Sequence, residues 1–328
     1  MDILLQQIIN GLTTGSVYAV VALGYTMVYG VIQLINFAHG EVVMIGAMVA
    51  FSVITSLAGS GLPPLAIVLA GVMAAVPACM LMGYLLERVA YRPLRHAPRL
   101  APLITAIGMS IILQHLALLV WGRNPLAFPQ IIDNQVFGIG GAAISSVQIA
   151  IILMSLAMMA GLSWFVYRTR FGIAIRATAE NVHIAGLMGV NANRVIAATF
   201  VIGAGLGAVA GVMYGSYYGI AHYTMGFSLG LKAFSAAVLG GIGNIAGAML
   251  GGILLGLVEA LGTGYVGEFT DLCHWPVAHG WLSERCADGG NFVLFGSNYQ
   301  DVFAFLMLIL VLVFRPSGLL GERVSERA

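Results

Sequence analysis

The residues best able to do chemistry in this chain stand inside apolar runs. Asn36-Phe37-Ala38-His39-Gly40-Glu41 breaks the first long hydrophobic stretch, Lys232 interrupts a later one, and Glu259 lies near the end of another. Ionisable groups at membrane depth are costly and mark pathways for polar solutes. An amide, an imidazole and an ammonium can each offer hydrogen bonds or charge to such a solute. Asn36 and His39, then Lys232, are therefore the candidate residues of a translocation path. A plainer placement is open for the first cluster: His39 and Glu41 at the membrane interface, capping a second helix and meeting water. The sharper placement is a discontinuous helix whose free N-terminus faces a central path.

Bond-breaking chemistry has no such candidates. The sequence holds no GxxxxGK[ST] phosphate loop, no HExxH pair and no GxSxG elbow. His96, His115, His183, His222, His274 and His279 are scattered and suggest neither a metal set nor a cofactor. An intramembrane enzyme is a remote alternative, because no nucleophile and base are displayed at matching depth. A net charge of +1 leaves no basic field for nucleic acid.

Composition says what must position these groups. Of 328 residues, 60% are hydrophobic and 8% charged, whereas a soluble domain is about 25% charged. Lipid must therefore be the solvent, and in lipid the backbone has to satisfy itself in helices or a closed barrel. The apolar runs are long and lack strand alternation, which selects helices. The expected fold is an all-α polytopic membrane protein with about 8–10 transmembrane helices in one domain covering 1–328. Nine spans are expected, near 5–32, 40–58, 63–86, 100–121, 147–167, 195–218, 228–243, 245–266 and 300–314. The first is long enough to be tilted or broken, and 228–266 could include a re-entrant segment. No Lys or Arg precedes the first apolar run, so it does not read as a cleaved signal peptide. Gly203, Gly207, Gly211, Gly215 and Gly219 recur every four residues, as do Gly243, Gly247 and Gly251. Such strips let helix backbones approach closely in a membrane. Each half also reads as a helix, a break and a short helix, the pattern of an inverted repeat.

Eleven of the 14 basic residues fall in three regions: 87–99, 168–194 and the tail from Arg315. The positive-inside rule puts these regions in the cytoplasm, with the N-terminus outside and the C-terminus inside. The loop 168–194 is the most conspicuous of them. Within it Thr178–Met188 can form a helix of about three turns, with Thr178 as N-cap and Gly189 as stop. Ile184, Leu187 and Met188 give it a small apolar patch. A transport subunit without its own motor would need such an element to receive energy from ATP. Without a partner, it would be a surface helix at the membrane interface.

The run Tyr25-Thr26-Met27-Val28-Tyr29-Gly30, followed by Ile35 to Glu41, resembles the N-terminal signature of branched-chain amino acid ABC-transporter permeases, and most closely their H-type subunit. Glu87 to Arg95, Ala179-Glu180-Asn181 with Gly189-Val190-Asn191, and Ala236 to Gly243 agree with it. The resemblance implies a type II-like importer fold. It also implies a second related permease, two cytoplasmic ATPase subunits and a periplasmic binding protein as partners in the inner membrane. The expected cargo is leucine, isoleucine and valine, with urea, short amides or another amino acid as the alternative. ATPase coupling is carried onto Ala179, Glu180, Asn181, Ala185, Gly186, Gly189 and Asn191. The stretch 267–298 departs from the family pattern as an insert on the outer side. A disulfide between Cys273 and Cys286 is expected there. A metal site adding His274 and His279 fits no familiar zinc spacing.

Overall fold

The computed structural model describes residues 2–95, 97–98, 100–131, 134–266 and 299–321. The expected insert 267–298, with Cys273 and Cys286, lies outside the described residues. Eleven α-helices carry the described chain: α1 (Asp2–Ile32), α2 (His39–Leu57), α3 (Pro64–Leu85), α4 (Leu100–Trp121), α5 (Ser146–Arg168), α6 (Arg170–Glu180), α7 (Val182–Leu187), α8 (Ala192–Tyr218), α9 (Met225–Gly240), α10 (Ile245–Leu261) and α11 (Gln300–Phe314). A π-helical turn, Leu86–Tyr91, extends α3. Two small antiparallel ribbons pair β1 (Leu126–Ala127) with β4 (Ile220–Ala221), and β2 (Val136–Ile139) with β3 (Ala142–Ser145).

Seven of the described helical segments are long and apolar enough to cross a membrane, and α9 and α11 are shorter apolar helices. The first span is one continuous helix, not a broken one. The termini follow local chemistry. Ser145 starts α5 with a reciprocal capping box to Gln148, and Gly219 ends α8 in the left-handed conformation.

Burial separates centre from rim. In the most apolar stretch of each helix, 83% of residues are buried in α1 and 72% in α8, but only 22% in α4. The outward side chains of the rim, such as Met73, Leu119 and Leu153, are apolar and exposed, as a lipid-facing surface requires. α1 packs antiparallel on α10, with Gly11 against Leu257, Gly15 against Ile253 and Ala19 against Gly252. α3 packs in the same way on α8, with Gly83 against Phe200 and Ala204.

These contacts repeat when α1, α2 and α3 are exchanged for α8, α9 and α10. α1 meets α10 as α8 meets α3, and α2 meets α8 as α9 meets α1. The two three-helix units run in opposite directions, so the structure has the inverted repeat that the helix–break–helix pattern suggests. The glycine strip serves this packing: Gly203 lies against Gly24, Gly207 against Val43, and Gly211 against the Val43 carbonyl.

Candidate functional site

At the centre of the repeat the N-termini of α2 and α9 meet. A Cβ on Gly40 would stand 2.2 Å from the Gly226 carbonyl oxygen and 2.9 Å from Gly230 Cα. Only glycine permits that approach. Residues 33–38 return from the end of α1 to the start of α2, turning at Gln33 with φ +52°. His39 thus enters α2 beside Gly24, well inside α1.

The polar groups of this junction are buried. Asn36 is 3% exposed, and its Oδ1 accepts a hydrogen bond from Tyr91 Oη at 2.9 Å. The His39 ring meets Tyr25 edge-on, with centroids 4.8 Å apart. It fills the space that Gly24 leaves, since a Cβ there would come 2.2 Å from Nε2. Glu41 Oε1 accepts from Ser110 Oγ at 3.0 Å and from Gln114 Nε2 at 2.7 Å. Its Oε2 lies against Gly226, with no hydrogen-bond partner among the described residues. The reading in which His39 and Glu41 cap α2 and meet water is therefore corrected. Both are enclosed, and no side chain caps α2. Tyr25, Tyr29, Asn36 and Phe234 line a small cavity beside the junction. Phe227, Ser228 and Leu231 continue an uncovered face along α9. A larger apolar cavity of about 160 Å³ lies apart from these groups, between α3, α5 and α8.

Lys232 is not alone, as its apolar surroundings in sequence suggest. Its Nζ donates to Glu259 Oε1 at 2.9 Å and lies 2.7 Å from Asp301 Oδ1. Sequence reasoning singled out Glu259 but missed Asp301, which sits at the edge of a span where an acidic residue looks like an ordinary helix end. It also missed Glu41's partners Ser110 and Gln114, whose spacing on α4 was the available signal: four residues apart, on one face.

The second candidate region is the elbow formed by α6 and α7. Thr178 does not cap it. It is buried within α6 and bonds back to the Ala174 carbonyl at 2.7 Å, because the amphipathic run Arg170–Glu180 continues the helix through it. Asn181 is the cap, its Oδ1 accepting from His183 N and Ile184 N at 3.0 Å each. Gly189 stops α7 at φ +85°, where Gly189 N donates to Gly186 O and Val190 N to Ala185 O. Asn191 then caps α8 through Arg194 N. Glu180 and Gly186 are exposed, Ala179 is half-buried, and Ala185 is buried against the bundle. Ala185 thus seats α7 on the bundle. The outer face carries Val182, Ile184, Leu187 and Met188, the last two 76% and 81% exposed.

The elbow and the other described basic loop share one end of the bundle. Arg95 Nη1 donates to Asn193 Oδ1. Buried Glu87 accepts from Arg92 Nη2 at 2.9 Å and from Arg95 Nη2. The described tail is at that end too, where Asn244 Nδ2 donates to Leu320 O, close to the Gly30–Gly243 contact that closes α1.

The model of the permease component of branched-chain amino acid transport systems matches residues 7–312. The chain belongs to this family. It is 48% identical to the high-affinity branched-chain amino acid transport system permease protein BraD of Pseudomonas aeruginosa, over 98% of this chain and 97% of the relative. It is 44% identical to LivH, of the same description, from Escherichia coli K12, with the same coverage. No solved structure matches it. Membership places the buried polar groups of this permease in a transport component. A transport component has to hold a polar solute and release it unchanged. Among the described residues no group of three His, Cys, Asp or Glu could hold a metal.

Proposed function

We propose that this chain is an inner-membrane permease subunit of an ATP-driven importer for branched-chain amino acids. A second related permease would complete the membrane unit, two ATPase subunits would dock on the cytoplasmic side, and a periplasmic binding protein would deliver leucine, isoleucine or valine. The relatives BraD and LivH, described as high-affinity branched-chain amino acid permeases, support the cargo. The gathering of the described basic loops at one end supports a cytoplasmic elbow, an outer N-terminus and an inner C-terminus.

The observation that carries the reading is α7. Four apolar side chains stand exposed on this short helix and its C-cap, which are fixed at the start by Asn181 and at the stop by Gly189. A rigid apolar knob at a basic end suits a groove on a soluble partner better than it suits water. Asn181, Gly189 and Asn191 hold the knob, Ala185 seats it, and Glu180 and Gly186 flank it. The path runs past the α2–α9 junction, with Asn36 and His39 on its wall.

Reconstitution with these partners tests this. Leucine uptake should require both ATP and the binding protein. Leu187→Glu should reduce uptake at least about tenfold, since a central apolar contact at an interface is worth ~2 kcal/mol or more, and the ATPase should no longer co-purify. Unaltered uptake by that variant would remove the docking role. A binding protein that takes urea and ignores leucine would replace the cargo.

A further inference from the structure

Two buried ion-pair clusters are found among the described residues, and they are unbalanced in opposite senses. Glu87 faces two guanidiniums, Arg92 and Arg95, at the basic end of the bundle. Lys232 faces two carboxylates, Glu259 and Asp301, where α9, α10 and α11 meet. Tyr18 of α1 closes the second group, 3.3 Å from Glu259 Oε1 and 3.4 Å from Lys232 Nζ. With its three charges ionised, this group carries one more negative charge than positive. Glu259 is 5% exposed, and its Oε2 has no hydrogen-bond partner among the described residues. A carboxylate oxygen withdrawn from water without a donor is expensive, so among the described residues the cluster is one cation short.

We propose that Glu259 and Asp301 form the recognition site for the α-ammonium group of the transported amino acid. The cluster already holds one primary ammonium, that of Lys232, against these carboxylates. A second primary ammonium makes the same kind of contact: its three N–H donors reach the free Glu259 oxygen and Asp301, and it needs no cage of oxygen ligands. Access is from Asp301, whose side chain is 51% exposed. Asp301 Oδ1 lies at ion-pair distance from Lys232, and the Asp301 side chain as a whole is half open. The site rests on the reading that this permease conducts amino acids. It adds what Asn36 and His39, both uncharged or weakly basic, do not supply: selection for an amine.

The test uses the complete transporter in lipid vesicles, without the binding protein or ATP, carrying Ser228→Cys. Ser228 is exposed one turn before Lys232 on α9. The rate of thiol labelling at position 228 is read by peptide mass spectrometry. L-leucine should slow it, and 4-methylpentanoate, which is leucine without its amino group, should not. Adding Glu259→Gln, which keeps the shape and the bond to Tyr18, should raise the leucine concentration for half-protection about tenfold. Asp301→Asn should raise it less. Equal protection by the two compounds, no protection by leucine, or an unchanged half-protection in Glu259→Gln would each overturn the assignment. ATP-driven leucine uptake by the same vesicles, with the binding protein restored, measures the importer reading separately.

Discussion

The α2–α9 junction and the α6–α7 elbow invert each other. At the junction polar side chains are buried: Asn36, His39 and Glu41 are each 3% exposed or less. At the elbow apolar side chains are exposed, and polar groups are spent on holding the helix: Thr169, Asn181 and Asn191 all accept backbone N–H groups. The first arrangement stores hydrogen-bonding capacity where water is scarce, which suits a solute passing through. The second stores apolar surface where water is plentiful, which suits a protein partner. Each region keeps what its surroundings lack.

The contrast can be broken most severely at Gly40. Gly40→Val would drive a side chain into the Gly226 carbonyl, and backbone cannot yield as a flexible side chain does. Overpacking of this kind costs ~1–3 kcal/mol or more. Uptake should be abolished and the thermal unfolding temperature of the purified permease lowered. Full activity would mean that the junction is looser than its contacts indicate. Next comes the elbow. Met188→Glu should cut uptake about tenfold while leaving the unfolding temperature within a degree or two of the wild type (~0.5 kcal/mol for an exposed site). A matched fall in stability would show that the elbow is structural. Asn181→Ala sharpens the same point, because it removes the cap and none of the apolar surface. Loss of an N-cap costs ~1 kcal/mol, so uptake should fall a few-fold, and Asn181→Asp should restore most of it. The smallest effect is expected for Tyr91→Phe, which removes one hydrogen bond worth ~1 kcal/mol and leaves Asn36 Oδ1 without its donor. Leucine KM should rise while the ATPase still co-purifies.

Much of the fold was legible because one property dominates it. Long apolar runs without charge admit helices and little else, and the two breaks show as polar or glycine-rich interruptions. Asn36 to Glu41 was visible for the same reason, since polar residues in an apolar run have few innocent explanations. Their burial was not visible. Nothing local distinguishes a histidine at an interface from one wedged beside Gly24. Lys232 looked isolated because its partners are on α10 and α11, and pairing between helices leaves no spacing to read. The elbow shows a nearer failure. Thr178 and Asn181 are both acceptable caps, and the choice was made by the amphipathic face of α6, which buries Gly172, Ile175 and Thr178 together. Gly189 was legible, because an exposed glycine after a short helical run signals a left-handed stop.

The π-helical turn Leu86–Tyr91 joins the two contrasted regions. Glu87, at its start, grips Arg95, which reaches Asn193 beside the elbow. Tyr91, at its end, reaches Asn36 in the break. Elbow and break are thus fastened to opposite ends of one six-residue turn. The turn therefore holds the two regions separately: without the Tyr91 hydroxyl the break loses this one tether, while the elbow keeps its anchorage through Glu87 and Arg95.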